Sequence, residues 1–352
     1  MFNNLFARAR QRTRLRPCKT FGGTRLRASC RVSPAANSKD SFSLSHPCPL
    51  PGFYNSFLKL ALLALLTVFI IVSCASASVS QESGQLKTFT AVENILPVWE
   101  NLYAGVDFYR GRVASPQIEF YALKIDLTAR NLKVVVKGGA TADDGSTLGT
   151  KVTSFVRDNN LIAGINAAPF DVVSSVEGQP VKNIGIVIAD GKMISPPHPR
   201  YDALVFFRDG SKEQNLMAVI VNQASIYTTV NIENAVGGFH QILKDGQAAD
   251  RTLANDARHP RSAAGISSDS RCLYLLVIDG RRAGSAGATE KETALLLRSL
   301  GAGDGINFDG GGSSALALRG RDGKVSAVNT PIHRLPGQER AVAGCIGIQI
   351  IN

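Results

Sequence analysis

Short runs of β-branched and aromatic residues recur from residue 117 to the end of the chain, and turn residues separate them. Gln117–Leu127 reads QIEFYALKIDL, and Leu132–Val136 follows it after a four-residue turn segment. Two such runs joined by a short turn predict a β-hairpin. The same pattern at Ala263–Ile266 and Cys272–Ile278 predicts a second hairpin. The chain is therefore expected to fold around antiparallel strands.

One helix is clearly signalled near the C-terminal end. Thr289 can cap its first turn, and Glu292 three residues later completes a capping box. Apolar residues then recur at helical spacing, and Gly301 provides a stop. A weaker helical spacing covers Thr150–Asn160. Because strands outnumber helices, the sequence predicts an α+β fold with a mixed, largely antiparallel sheet and few helices, in a single globular domain after an export segment.

The net charge of +11 is concentrated at the N-terminus. Residues 1–49 hold ten Lys or Arg and a single acid, Asp40. A basic patch on a folded domain would indicate nucleic-acid binding, but here the basic residues lie in a tail. We therefore predict no nucleic-acid partner. The segment 1–49 is interpreted as a basic tail or as the result of a start codon placed too early.

The next segment, residues 50–79, predicts export. Leu60–Val72 is an uncharged apolar run with a lysine before it and the small residues Ser73–Ala77 after it. This arrangement is typical of a secretory signal. Ile71–Cys74 also resembles a bacterial lipobox, in which Cys74 would be lipidated. A lipoprotein, a cleaved signal and an uncleaved membrane anchor stay open as alternatives. All three place the protein in the cell envelope, either periplasmic or bound to the membrane. Residues 80–115 are then a linker and lead-in, and 116–352 the domain.

The richest chemical motif is a glycine turn after a predicted strand. Asp309 is followed by Gly310, Gly311, Gly312 and Ser313. Glycines let the backbone turn sharply and let its amides approach an anionic ligand. We expect a functional site here, since three consecutive glycines cost considerable chain entropy.

Four other segments place ionisable or amide side chains beside turns or in apolar strands. They are His259 with Arg261, Asp279 with Arg281, Asn166 within an apolar strand, and Glu339 with Arg340. Each alone is a weak signal, because Asp-Gly pairs and surface ion pairs are common. The sequence contains no P-loop, HExxH or CxxC motif, so nucleotide hydrolysis and zinc chemistry have no support.

The order of these motifs resembles the phosphodiester glycosidase family. The matching segments are GINAAPFD, GGFHQILKDG, RHPRSAAGI, LYLLVIDGR, GINFDGGGSSALAL, VNTP and ERAVAGCIGI, from about residue 117 to 352. The chain departs from the family at Ala167, where a glycine is frequent, and at Ser262, where threonine is frequent. These departures leave the ionisable positions intact.

The resemblance implies an exported hydrolase that cleaves a sugar-1-phosphodiester in envelope glycan or exopolysaccharide metabolism. It implies that Asp309, Glu339, Asp279 and His259 are catalytic. It implies that substrate is bound by Asn166, Arg261, Arg281, Gly310, Gly311, Gly312, Ser313 and Arg340. The expected partners are a phosphoglycan or sugar-phosphodiester substrate, and the membrane through the N-terminal segment or a lipidated Cys74.

Two questions stay open at the level of sequence. No cofactor is required by the implied reaction, although an Asp beside a glycine turn can bind a divalent cation through oxygen. The alternative function is a non-catalytic envelope protein that binds glycan or anionic polymer in the same pocket, since one fold can serve both roles.

Overall fold

The computed structural model describes residues 91–142, 144–208, 210, 215–228, 231–250, 257–331 and 338–351. These residues lie in one compact unit of the chain, Val68–Asn352. The predicted basic tail, export segment and Cys74 lie outside them. Within the described part, no helix has the length and apolar character needed to cross a membrane.

The described residues form twenty strands. In chain order they are β1 (Glu100–Tyr103), β2 (Val106–Ala114), β3 (Gln117–Asp126), β4 (Leu132–Val136), β5 (Ser146–Leu148), β6 (Ala163–Asn166), β7 (Pro180–Lys182), β8 (Val187–Ala189), β9 (Lys192–Ser195), β10 (Asp202–Arg208), β11 (Leu216–Asn222), β12 (Ile232–Gly237), β13 (His240–Lys244), β14 (Gln247–Ala248), β15 (Arg261–Ile266), β16 (Cys272–Ile278), β17 (Asp304–Asn307), β18 (Leu316–Arg319), β19 (Val325–Ala327) and β20 (Cys345–Ile350).

Four sheets contain these strands. The largest has the order β1-β2-β3-β16-β15-β17-β13-β14, two five-stranded sheets have the orders β11-β10-β12-β8-β9 and β19-β18-β6-β20-β4, and β5 pairs with β7. Every pairing between the described strands is antiparallel. The predicted α+β class, in a single domain with a largely antiparallel sheet, is confirmed.

Two helices whose bounds lie within the described residues accompany the sheets, α1 (Val152–Asp158) and α2 (Glu290–Leu300). The capping box predicted for α2 is present, because Thr289 accepts a hydrogen bond from the Glu292 amide and Glu292 accepts one from the Thr289 amide. Gly301 ends α2 in the left-handed conformation. Local sequence signals therefore define α2 at both ends.

The large sheet is buried on both faces. Along β16, Leu275 and Val277 belong to one apolar cluster, whereas Leu276 and Ile278 belong to another that contains the leucines of α2. Alternating side chains of a strand point to opposite faces, so α2 covers one face and the remaining sheets contribute to the other.

The first predicted hairpin is wrong. The two runs at Gln117–Leu127 and Leu132–Val136 do form strands, but β3 pairs with β2 and β16, whereas β4 pairs with β20. Turn residues indicate where the chain reverses and do not decide which partner offers the better buried face. The second hairpin, β15 with β16, is confirmed in full register from Arg261 to Ile266.

The large sheet also extends toward the N-terminus. β2 pairs with β3 along its whole length, from Val106 opposite Ile125 to Ala114 opposite Gln117. Both β1 and β2 lie within residues 80–115, which were predicted as linker and lead-in. Part of that segment therefore belongs to the sheet, because β2 supplies the neighbour that β3 needs on that side.

The strands bring the polar motifs to one edge. Arg261 at the start of β15 lies opposite Ile278 at the end of β16, and Ala263 lies opposite Asn307 at the end of β17. The ends of these strands therefore bring three flanking residues close together in space, His259, Asp279 and Asp309.

Candidate active site

The glycine turn begins where β17 ends. The Phe308 amide still donates to the Ser262 carbonyl at 2.9 Å, but the Asp309 amide donates to the Ala167 carbonyl at 2.9 Å. The chain thus leaves the large sheet at Asp309 and contacts the segment after β6. A short 3-10 turn, Gly311–Ser313, follows.

Asn166 fixes this turn from behind. Its side-chain amide donates to the Asp309 carbonyl at 2.7 Å, and its oxygen accepts from the Ser262 hydroxyl at 2.7 Å and the Ala315 amide at 3.0 Å. The side chain is buried. Asn166 therefore positions the backbone on both sides of the turn, rather than presenting its oxygen to a ligand.

Two guanidinium groups lie against the glycines. A Cβ built on Gly311 would lie 3.5 Å from Arg281 Nη2, and one built on Gly312 would lie 2.5 Å from Arg340 Cζ. Arg340 makes no hydrogen bond with any other residue that the structure describes. The turn is consequently flanked by two positive charges.

Asp309 is a carboxyl group whose charge acts on Arg340. Burial raises the pKa of Asp309 to about 6, against the opposing effects of Ser313, Arg340 and the Gly310 amide. A carboxyl group with a pKa close to neutral pH can both accept and release a proton in a reaction. Asp309 is therefore the best-placed acid or base at the turn.

His259 contacts Arg281 at the rim of the turn. Arg281 Nη2 lies 3.1 Å from His259 Nδ1. Burial lowers the pKa of His259, and the charges of Arg261 and Arg281 lower it further. Since a guanidinium group only donates hydrogen bonds, Nδ1 must accept and the proton of the neutral ring lies on Nε2. The ring can therefore donate through Nε2.

The side chain of Arg261 is engaged by other parts of the protein. Its Nε donates to the Ala288 carbonyl at 3.0 Å, its Nη2 donates to the Ala257 carbonyl at 3.0 Å, and its Nη1 lies 3.5 Å from Glu290. The side chain is buried, and burial lowers its pKa. Arg261 thus joins the start of β15 to the start of α2.

Asp279 is also fully engaged. Its carboxylate accepts from Arg282 at 2.7 Å, from the Asn329 amide group at 3.1 Å and from the Thr330 amide at 3.0 Å. Burial raises its pKa, and these donors oppose the rise. Asn329 in turn donates to the Ser314 carbonyl at 3.0 Å. Asp279 therefore acts on the far end of the glycine turn through Asn329.

Glu339 lies at the start of α1. Its carboxylate accepts from the Thr153 amide at 3.1 Å and from the Thr153 hydroxyl at 2.7 Å. Burial raises its pKa, and the contacts with Thr153 oppose the rise. A carboxylate in this place caps the unpaired amides of a helix. Its neighbour Arg340 reaches the glycine turn, whereas Glu339 stabilises α1.

The predicted site residues thus divide into two groups. At the turn itself the structure places Asp309, Gly310, Gly311, Gly312, Ser313, Arg281, Arg340 and His259. Around it lie Asn166, Arg261, Asp279 and Glu339, each hydrogen-bonded to other parts of the protein. The second group holds the first in position.

Three buried polar atoms near the turn lack a hydrogen-bond partner among the described residues. They are Asn307 Oδ1, Ser313 Oγ and Ser314 Oγ. The Ser313 hydroxyl is close enough to lower the pKa of Asp309, yet it makes no hydrogen bond of standard geometry. Buried polar atoms normally find a partner, so a ligand or water is expected here.

The sequence motifs contained Asn329, Asn307 and Ser314, but sequence reasoning assigned none of them a role at the site. Asn307 is the last residue of β17 and lies two positions before Asp309, so its place beside the glycine turn could have marked it. Asn329 stands beside Thr330 and a proline, and its partner Ser314 could not be read from spacing. Within the described residues, no group of three His, Cys, Asp or Glu side chains is arranged to hold a metal ion.

Comparison with known proteins gives related results from sequence and from structure. The family model for phosphodiester glycosidase matches residues 159–349. The chain is 28% identical over 184 residues to the SPbeta prophage-derived uncharacterized protein YomE of Bacillus subtilis, which covers 50% of this chain and 27% of that protein. The chain therefore spans about a quarter of the length of this relative.

Two solved structures share the fold. A presumed exported protein of Burkholderia pseudomallei matches 66% of this chain and 74% of its own, with a TM-score of 0.52 and 15% identity. The catalytic domain of zebrafish N-acetylglucosamine-1-phosphodiester alpha-N-acetylglucosaminidase, auto-inhibited by pro-peptide, matches 73% of this chain and 85% of its own, with a TM-score of 0.51 and 19% identity. At these identities the similarity concerns the fold alone.

Proposed function

The chain belongs to the phosphodiester glycosidase family, and on this premise we propose that it hydrolyses the glycosidic bond of a sugar-1-phosphodiester. The observation that carries the proposal is a partly buried carboxyl group, Asp309, beside a glycine turn that Arg281 and Arg340 flank. A sugar-1-phosphodiester combines an anomeric carbon with an anionic phosphate. The carboxyl group can act at the anomeric carbon, and the two guanidinium groups can bind the phosphate.

In the proposed reaction, water adds to the anomeric carbon and the bond from that carbon to the phosphate oxygen breaks. The products are the free sugar and a phosphate monoester, so no phosphorus–oxygen bond is cleaved. The phosphate leaves as a stable anion and needs little protonation. The demand on the site is therefore to stabilise positive charge at the sugar and negative charge at the phosphate.

Asp309 meets the first demand. As a carboxylate it stabilises an oxocarbenium-like centre, attacks it or activates the water, and its raised pKa suits proton transfer near neutral pH. Asp279 and Glu339 are the other carboxylates expected from the sequence. Because both accept hydrogen bonds from the protein, we assign them positioning roles.

Arg281 and Arg340 meet the second demand. Guanidinium groups bind phosphate oxygens through paired hydrogen bonds, and backbone amides of the glycine turn can add further donors. His259, neutral and protonated at Nε2, can donate to the leaving oxygen. Asn166 and Arg261 hold the strands that carry these groups.

We further propose that the enzyme is exported and acts on envelope glycan or exopolysaccharide. The apolar run Leu60–Val72 and the small residues after it support export. The similar Burkholderia pseudomallei protein is itself described as exported. Attachment to the membrane would then pass through the N-terminal segment or a lipidated Cys74.

The test is hydrolysis of a panel of sugar-1-phosphodiesters by the purified protein, with free sugar and phosphate monoester both measured. The parent protein should release the two products in equal amounts, and Asp309→Asn should release neither. Asp322→Asn, in an exposed turn away from the site, is the matched control and should remain active. Binding of the panel without release by the parent would instead favour the non-catalytic glycan-binding alternative.

A further inference from the structure

The segment after β6 joins two sides of the candidate site. At one end, the Ala167 carbonyl accepts the Asp309 amide at 2.9 Å. At the other end, the Ser174 carbonyl accepts the Ala341 amide at 2.8 Å, one residue from Arg340. The residues between them therefore run from the backbone of Asp309 to the residue next to Arg340.

This segment exposes apolar side chains. The exposed fractions are 53% for Val172, 60% for Val173 and 57% for Val176. Single exposed valines are ordinary, but three within five residues at the rim of a site indicate a binding surface. We call residues 172–176 the valine loop.

The valine loop is held by hydrogen bonds on its C-terminal side. The Val176 amide donates to the Ser174 hydroxyl at 3.0 Å. Glu177 accepts from the Lys151 amide at 2.7 Å and from the Ser154 hydroxyl at 3.0 Å. Its apolar side chains are thus presented to solvent by a structured loop, and a ligand that covers them needs to order little backbone.

We propose that the valine loop binds a hydrocarbon chain on the alcohol side of the substrate phosphate. This inference rests on the proposed function and narrows it: the substrate class is a sugar-1-phosphodiester whose second ester is formed with a lipid alcohol. With the sugar at Asp309 and the phosphate at Arg340, the second ester leaves the phosphate beside the valine loop. Hydrolysis then releases the sugar and a lipid phosphate monoester.

The part of the protein around Asp279 fits a hydrocarbon poorly. There Arg282 bridges the buried carboxylates of Glu119 and Asp279, and Arg110 also contacts Glu119. These paired charges would lose hydration if a hydrocarbon covered them. The two buried carboxylates also offset much of the positive charge that would be needed to bind a polyanion. The valine loop is therefore the better binding surface for an apolar chain.

The experiment measures binding of two alkyl phosphates, ethyl phosphate and octyl phosphate, to the full chain by calorimetry below the micelle concentration of the octyl compound. Each methylene withdrawn from water strengthens binding about fourfold, so partial cover of the longer chain should give at least about tenfold tighter binding. Val172→Ser/Val173→Ser should remove the preference for octyl phosphate and leave the affinity for ethyl phosphate unchanged. Met193→Ser, an exposed apolar residue on β9, is the matched control and should keep the preference.

Equal affinity of the parent protein for the two phosphates would overturn the inference. The inference would also fail if the valine substitutions changed only the sedimentation of the protein, because the loop would then be a contact with a second copy. It would fail likewise if they changed only the binding to phosphatidylcholine vesicles, because the loop would then be a membrane contact. Hydrolysis of a methyl sugar-1-phosphodiester and its octyl analogue separates this inference from the proposed function. Turnover of both at equal rates sustains the function and rejects the lipid alcohol, whereas a binding preference for octyl phosphate without any turnover sustains the valine loop and rejects the hydrolase.

Discussion

Arg340 occupies the space that a side chain on Gly312 would need. A Cβ built on Gly312 would lie 2.5 Å from Arg340 Cζ, a distance that real Cβ atoms do not reach. The neighbouring Gly311 has a positive φ of 62°, which favours glycine for a different reason. The two glycines are therefore needed for different reasons. Gly311 lets the backbone turn, and Gly312 leaves room for the guanidinium group of Arg340.

Gly312→Ala should lower kcat/KM at least about tenfold while the fold is retained. The added methyl group displaces only the flexible end of Arg340, so the free energy of unfolding should change by less than about 1 kcal/mol. Gly138→Ala is the matched control, because its Cβ would lie 3.6 Å from the nearest atom, in ordinary contact. Full activity of Gly312→Ala would show that Arg340 is not needed where it lies.

Arg340→Ala should raise KM for a phosphodiester about a hundredfold, and Arg340→Lys about tenfold, because lysine keeps the charge but loses the planar pair of donors. Arg340 also lowers the pKa of Asp309. Its removal should therefore shift the acidic limb of the kcat/KM profile to higher pH, which a purely structural role would not do. Arg321→Ala, on an exposed turn, should match the parent protein in both measurements.

Glu339→Ala should destabilise the protein by about 1 kcal/mol, since it removes the acceptor for the Thr153 amide at the start of α1. Glu339→Gln retains one acceptor oxygen, so its kcat should stay within about threefold of the parent value. Urea unfolding and steady-state kinetics on the two variants decide between the roles. A loss of kcat by more than a hundredfold in Glu339→Gln, with normal stability, would show that Glu339 takes part in the chemical step.

Short-range features of the fold could be predicted from the sequence. The capping box of α2 and the hairpin of β15 and β16 depend on residues only a few positions apart. The partner of β4 could not be predicted in this way. β4 pairs with β20, more than two hundred residues away, and the choice depends on which apolar faces meet in the core.

The same distinction applies to the site. The glycine turn after Asp309 could be recognised from sequence, because three consecutive glycines cost chain entropy that an ordinary turn does not require. The roles of Glu339 and Arg261 depended on partners that no local pattern reveals: Thr153 lies 186 residues from Glu339, and Glu290 lies 29 residues from Arg261. An ionisable residue in a motif can therefore be recognised as important before its task is known.

The raised pKa of Asp309 makes a prediction that is independent of any substrate. A pKa of about 6 in the folded protein, against an ordinary value near 4, means that folding favours the protonated carboxyl group. The parent protein should therefore lose stability as the pH rises from about 4 to about 6, and should not recover it at higher pH. Asp309→Asn has no proton to lose, so its stability relative to the parent should rise over this range and stay constant above it.

The shift corresponds to a gain of on the order of 2 kcal/mol for Asp309→Asn at pH 8 over its value at pH 4. Urea unfolding of both proteins at pH 4, 5, 6, 7 and 8 measures it. A difference between Asp309→Asn and the parent that is the same at every pH would mean that Asp309 titrates normally. In that case burial would not hold its proton, and the carboxyl group could not be poised near neutral pH for the proposed reaction.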